Sequence, residues 1–219
     1  MKEELNYVII EYSDKDHNYL KYFIEEIERI TEEIVNFFEI KNFDKKINII
    51  LNDNLELFRK KRTETGYYLE ENGSVPLWCC GFSIDNRVET LCFDEYRKTK
   101  SHENDSLDDL LYLILHEFTH SCHRIKNKNS MNEIWFKEGL ATTISHQFDK
   151  KEYIFDVTIE QLRNSPIDYR NYYTMFKYVL DTYGKEYILK LLSDEKLLIS
   201  DTPRLFNETK EYYNNMKRM

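Results

Sequence analysis

One stretch in the middle of the chain combines the periodicity of a buried helix with polar side chains that such a helix rarely carries. Apolar residues recur there at intervals of three and four, which predicts an α-helix. Ser106, with Asp109 three residues later, is typical of a capping box at a helix start. The apolar positions are Leu107, Leu110, Leu111, Ile114, Leu115 and Phe118. So apolar a face needs a sizeable core to cover it, and a chain of 219 residues is long enough to supply one.

The polar side chains on this predicted helix are His116, Glu117 and His120, in the sequence H-E-F-T-H. Positions four apart on an α-helix differ by about 40° in direction, so both imidazoles can reach one metal ion. Glu117 lies beside that face, where its carboxylate would contact water next to the ion rather than the ion itself. Burying two histidines and a glutamate without a partner would be costly, so the pattern favours a metal site over a chance match.

The third ligand decides the class of site. The pattern H-E-x-x-H-x-x-G-x-x-H would need a glycine at position 123 and a histidine at position 126, whereas the chain has His123 and Lys126. His123 lies about 10.5 Å along the helix axis from His116, so a supporting or surface role is favoured over ligation. Glu138, on the next predicted helix, is the better candidate. Two histidines, a carboxylate and a water are the ligands of a hydrolytic zinc site, so we expect one Zn²⁺ per chain.

The periodicity also predicts the fold class. The predicted strands are 7–12, 46–51, 79–84 and 87–93, and a hairpin joins the last two through Asp85-Asn86. The predicted helices are 16–38, 55–61, 106 onward, 133–147, 169–182, 185–192 and 202–216. This is an α+β arrangement with a mixed or antiparallel sheet. We expect an α+β sub-lobe over residues 1–105, a helical sub-lobe over 106–219 that carries the metal site, and a cleft between them.

His116–His120, followed by the sequence W-F-K-E-G-L-A at Trp135–Ala141, resembles the gluzincin branch of zinc metallopeptidases, the thermolysin and neutral-aminopeptidase group, and in particular small peptidase-MA-like proteins. The resemblance covers roughly residues 106–192. It implies a single zincin-like metallopeptidase domain over residues 1–219 that hydrolyses peptide bonds in a peptide or protein substrate. It also implies that the two histidines and Glu138 hold zinc and that Glu117 is the general base for a metal-activated water.

Downstream of this motif, the run from Tyr169 to Gly184 is similar to the tyrosine-containing helix of the same group. The helix in aminopeptidase-like members opens with a tyrosine about four turns before a glycine. The resemblance therefore implies that Tyr169 stabilises the oxyanion, with Tyr172 and Tyr173 as alternatives within one turn.

In such enzymes the strand before the active helix is an edge strand that pairs with extended peptide. The resemblance places this strand at Val88–Phe93, with Val88, Glu89, Thr90 and Leu91 as substrate-binding residues, although an ordinary core strand is the alternative. Aminopeptidases of the group also carry G-x-M-E-N to hold the free amine of the substrate. The nearest sequence here, Gly81–Asn86, does not match it, which favours an endopeptidase.

The composition of the chain predicts which kinds of partner and which compartment the protein has. Lys and Arg number 31 against 40 Asp and Glu, a net charge of −9, so we expect no nucleic-acid partner. No apolar run approaches the roughly 18–20 residues of a membrane helix, so we expect no membrane partner either. The start of the chain lacks the apolar stretch of a secretory signal, so we expect a cytoplasmic protein. No C-x-x-C pair occurs, which predicts buried thiols at Cys79, Cys80, Cys92 and Cys122.

Two alternatives remain at this point. The chain could be a zinc-containing regulatory or peptide-binding protein without turnover, although a purely structural zinc site has no use for the base that Glu117 supplies. It could also be a dedicated regulatory protease that cuts a single partner protein. Activity on unrelated peptides separates a dedicated protease from a general peptidase.

Overall fold

The computed structural model describes residues 1–66, 69–70, 73–127, 133–164 and 167–218, which form an α+β protein with a small mixed sheet and helices. The chain divides into two compact units, Met1–Cys122 and His123–Met219. This division falls 17 residues later than the one expected between residues 105 and 106, because the first turns of the helix that begins after Ser106 pack within the N-terminal unit.

A five-stranded sheet lies in the N-terminal unit. Its strands are β1 (Lys2–Glu4), β2 (Val8–Glu11), β3 (Ile47–Asn52), β4 (Gly81–Ile84) and β5 (Arg87–Leu91). Their order across the sheet is β1-β2-β3-β5-β4. Strands β2, β3 and β5 are parallel to one another, whereas β1 and β4 run antiparallel to their neighbours. The predicted mixed sheet and the hairpin at Asp85-Asn86 are therefore confirmed.

The edge position expected for residues 88–93 is wrong. Strand β5 lies between β3 and β4, with Val88 opposite Ile49 on one side and Ser83 on the other. Its residues Val88, Glu89, Thr90 and Leu91 are all buried. Because both edges of β5 are already paired, its backbone has no free groups for a peptide strand, and in the described part of the sheet β4 is the outer strand. The sequence predicted the hairpin but carried no information about which of its strands would pair with β3.

In the described residues of this unit, four α-helices accompany the sheet: α1 (His17–Phe37), α2 (Leu55–Glu64), α3 (Phe93–Tyr96) and α4 (Leu107–Lys126). Within the N-terminal unit, the Phe118 ring of α4 stacks on Phe43 with centroids 6.4 Å apart. The hydroxyl of Tyr22 on α1 donates to Asp108 of α4 at 2.6 Å. These contacts explain why α4 belongs to the N-terminal unit as far as Cys122.

The capping box at the start of α4 is confirmed. The Ser106 amide and hydroxyl donate to Asp109 Oδ2 at 2.8 and 2.6 Å, and the Asp109 amide donates to Ser106 Oγ at 3.3 Å. We expect Ser106→Ala to lower the free energy of unfolding by about 1 kcal/mol, because one orphan amide of the helix loses its acceptor. Denaturant unfolding measures this loss. Asn104→Ala, at an exposed neighbouring position, is the control, and an equal loss in both variants would contradict the capping role.

All regular secondary structure in the described part of the C-terminal unit is helical. Its helices are α5 (Ile134–Ile144), α6 (Ile159–Asn164), α7 (Tyr169–Ser193) and α8 (Glu195–Met216). Gly184 interrupts α7 with φ 78° and ψ 173°, which matches the break predicted between residues 182 and 185. Helix α8 begins seven residues before the predicted position, because Asp194 caps it by accepting from the Leu197 amide and Pro203 is accommodated inside it. No helix in the described ranges has the length and apolarity needed to cross a membrane.

Candidate metal centre

Helix α4 places its two predicted ligands side by side. The imidazole rings of His116 and His120 have centroids 4.6 Å apart and are nearly perpendicular, with an interplanar angle of 87°. The helical spacing of four residues produces this arrangement directly, because both side chains leave the same face one turn apart. His116 is buried, with 4% of its surface exposed. The local geometry expected from the H-E-x-x-H pattern is therefore present in the helix.

The third residue of the group is Glu138 on α5, also buried. His116, His120 and Glu138 each offer one ligand atom, and these atoms lie within 4.8 Å of one another. Ligand atoms about 2.0–2.2 Å from a shared zinc ion are at most ~4.4 Å apart, so the spacing is close to what one ion requires. No other group of three His, Cys, Asp or Glu side chains is arranged in this way among the residues that the structure describes. The group could therefore hold a metal ion, and its two imidazoles and its carboxylate are donors of the kind that zinc accepts.

A close helix contact sets the position of Glu138. A methyl group added to the neighbouring Gly139 would lie 2.6 Å from both Phe176 Cβ and the Tyr172 carbonyl oxygen, so α5 and α7 approach each other too closely for a larger residue. The hydroxyl of Thr142 donates to the Glu138 carbonyl oxygen at 2.9 Å within α5. Because α5 is pressed against α7 at the adjacent residue, the backbone that carries Glu138 has little room to move.

The general-base candidate, Glu117, lies against the start of β4. It is 9% exposed, and a methyl group added to Gly81 would lie 3.3 Å from Glu117 Cγ and 3.3 Å from Leu113 Cγ. The strand beside this carboxylate is therefore β4, the outer strand of the hairpin, rather than β5. Hydrophobic periodicity could not show which strand lies beside Glu117, because both strands of a hairpin carry similar patterns. The glycine at position 81, which leaves room for the Glu117 side chain, was the available signal.

The four cysteines are free and buried, which confirms the prediction of buried thiols. Burial raises the pKa of the Cys79 thiol; the nearby charge of Glu117 adds to this effect and Arg62 opposes it. Burial also holds the pKa of Cys80 well above its usual value. Both side chains are therefore neutral thiols at pH 7, and neither belongs to the group that could hold a metal.

His123 is buried but is not part of the three-residue group, in agreement with the favoured non-ligand interpretation. It lies one turn beyond His120 on α4, where the helical rise carries its ring away from His116.

The three tyrosine candidates occupy the first turns of α7. The Tyr173 hydroxyl donates to Asp149 Oδ1 at 3.5 Å, and its ring stacks on Tyr153 with centroids 5.6 Å apart. Burial raises the pKa of Tyr173, and its two neighbours add to the effect. Tyr169 begins the helix and packs edge-on against the buried Tyr172, with centroids 5.5 Å apart. The Tyr173 hydroxyl is thus engaged by Asp149, whereas the choice of Tyr169 or Tyr172 as the oxyanion donor stays a prediction.

Comparison with known proteins adds nothing to this geometry. No protein family, curated protein or solved structure matches the chain.

Proposed function

We propose that the protein is a zinc-dependent endopeptidase with a zincin-like domain of the gluzincin type. The observation that carries the proposal is the convergence of ligand atoms from His116, His120 and Glu138 within 4.8 Å, with Glu117 on the same helix as both histidines. Zinc held by these residues would act as a Lewis acid that lowers the pKa of water and polarises a substrate carbonyl.

Glu117 performs the proton transfers in this proposal. Its carboxylate accepts a proton from the attacking water and passes that proton to the leaving amine. It is nearly buried and lies against β4, so its orientation is restricted by its surroundings. The hydroxyl of Tyr169, or of Tyr172 one turn away, donates a hydrogen bond to the oxyanion that develops on the carbonyl.

Strand β4 replaces β5 as the strand that holds the substrate. It is one of the two outer strands of the described sheet, and its first residue, Gly81, lies beside Glu117. A peptide that adds to this edge would pair through backbone groups, which binds an extended chain without reading its sequence. The sequence of Gly81–Asn86 lacks the G-x-M-E-N pattern that holds a free amine in aminopeptidases, which favours internal peptide bonds as the substrate.

Metal content tests the proposal most directly. We expect about one zinc per wild-type chain by elemental mass spectrometry, because the group offers three protein ligands and leaves one position open. Glu138→Gln and His116→Ala should each lose most of this zinc on dialysis against a chelator, whereas the exposed control Glu186→Gln should retain it. A wild-type protein that takes up no zinc, or a Glu138→Gln variant that retains it, would refute the site.

A panel of unrelated peptides then separates the alternative functions. Cleavage of many peptides at internal bonds supports a general endopeptidase. Stoichiometric zinc with cleavage of a single partner protein identifies a dedicated regulatory protease, and zinc without any cleavage identifies a non-catalytic regulatory or peptide-binding protein.

A further inference from the structure

Two adjacent large apolar side chains are exposed immediately before β4. Leu77 is 53% exposed and Trp78 is 51% exposed, whereas the next two residues, Cys79 and Cys80, are buried. Isolated exposed apolar residues are common on protein surfaces, but an adjacent leucine and tryptophan on a segment fixed by its neighbours are typical of a binding surface. We refer to this pair as the Leu77–Trp78 surface.

The side chain of His102 contacts the backbone and the cysteine next to this surface. Nε2 of His102 lies 3.2 Å from the Trp78 carbonyl oxygen and 3.4 Å from Cys80 Sγ. Nδ1 of the same ring lies 2.7 Å from Asp105 Oδ2, which also accepts a hydrogen bond from the Tyr96 hydroxyl at 2.5 Å. The tryptophan is therefore presented on a fixed backbone, which reduces the conformational entropy lost when a ligand binds.

The surface lies shortly before β4, whose outer edge pairs with no strand among the described residues. Trp78 lies in a turn closed by a hydrogen bond from the Cys79 amide to the Pro76 carbonyl oxygen, and it precedes Gly81 by three residues, so their Cα atoms are at most about 10 Å apart. Because Gly81 lies beside Glu117, a peptide paired with β4 and extended by about three residues past Gly81 would reach Trp78. The outer edge of β4, unpaired in the part of the chain that the structure describes, therefore points to an extended peptide as the group that covers the exposed tryptophan.

We propose that the Leu77–Trp78 surface binds a large apolar or aromatic side chain of the substrate, about two to four residues from the cleaved bond. The inference rests on the proposed peptidase function and adds a substrate class to it. Neither Leu77 nor Trp78 carries charge, and an indole ring gains most from packing against another flat apolar group. Peptides with an apolar side chain at that distance are therefore preferred over peptides with a small polar one.

A binding experiment tests this without relying on turnover. The chain has two tryptophans, and the second, Trp135, is fully buried, so a ligand at the surface changes mainly the fluorescence of Trp78. In the zinc-loaded Glu117→Gln variant, peptides that carry phenylalanine at the preferred position should shift the emission to shorter wavelength, and matched peptides with serine should not. Adding Trp78→Phe to that variant should abolish the shift. No shift with any peptide that carries phenylalanine, scanned along both sides of the cleaved bond, would overturn the inference.

Cleavage rates supply the second readout. The wild type should favour phenylalanine over serine at the preferred position by about tenfold in kcat/KM. Trp78→Ala should bring this ratio close to one by lowering kcat/KM for the phenylalanine peptide, while Trp78→Phe should restore much of the ratio. Leu57→Ala removes an equally exposed leucine, 50% exposed on α2, and should leave the ratio unchanged. An unchanged ratio in Trp78→Ala would also overturn the inference.

The two experiments keep the proposals separate. A fluorescence shift with no cleavage by the wild type retains the Leu77–Trp78 surface and refutes the hydrolytic function. Cleavage that ignores the apolar side chain retains the hydrolytic function and refutes the surface.

Discussion

Glu117→Gln should lower the rate of peptide hydrolysis by about 10²- to 10⁴-fold while leaving the zinc content unchanged. The amide has the shape of the carboxylate and fits the same space against Gly81, but it cannot accept a proton from water. Zinc is retained because the converging ligand atoms belong to His116, His120 and Glu138, not to Glu117. Elemental mass spectrometry and a peptide-cleavage assay on the same preparation measure both quantities.

The matched control is Glu186→Gln, which makes the same chemical change at an exposed position of α7. It should keep both zinc and activity. Full activity in Glu117→Gln would remove Glu117 from the mechanism. Loss of zinc together with activity would show that this carboxylate supports the metal ligands instead of acting as a base.

Gly139→Ala should lower the free energy of unfolding by about 1–3 kcal/mol. At most helix-interior positions this substitution stabilises a protein by about 0.5–1 kcal/mol, because glycine loses more backbone entropy on folding. Here the added methyl would lie 2.6 Å from Phe176 Cβ and from the Tyr172 carbonyl oxygen, so the two helices must separate. Chemical unfolding of the metal-free protein measures the loss without a contribution from bound zinc.

The same substitution should weaken zinc binding, because the residue that shifts is adjacent to Glu138. Gly184→Ala is the control: its φ of 78° strains an alanine, but no atom lies within 4 Å of the added methyl. We expect the control to lose stability and to retain the zinc affinity of the wild type. A Gly139→Ala protein as stable as the wild type would contradict the close contact of α5 with α7. Equal zinc affinity in the two variants would show that this contact does not influence zinc binding.

Features that depend on neighbouring residues were predictable from the sequence. The capping box at Ser106, the paired imidazoles on α4, the hairpin at Asp85-Asn86 and the break at Gly184 all follow from spacings of a few residues. Each is determined by backbone dihedral preferences and side-chain periodicity, which act over one or two turns of chain. The start of α8 was missed because Pro203 indicates a helix boundary locally, whereas the packing of Leu198 and Leu205 favours a continuous helix.

Features that join distant parts of the chain depended on tertiary structure. Glu138 follows His120 by 18 residues, and the sequence around it is typical of a solvated helix. Its burial and its proximity to the two histidines have no local signal in the sequence. The pairing of β5 with β3, which leaves β4 outermost, and the hydrogen bond from Tyr173 to Asp149 also had no local signal. Spacing along the chain thus identifies the residue types that could form a metal centre. Which strand lies beside Glu117 depends on the tertiary structure, because side-chain periodicity records whether a residue is buried and not what it is buried against.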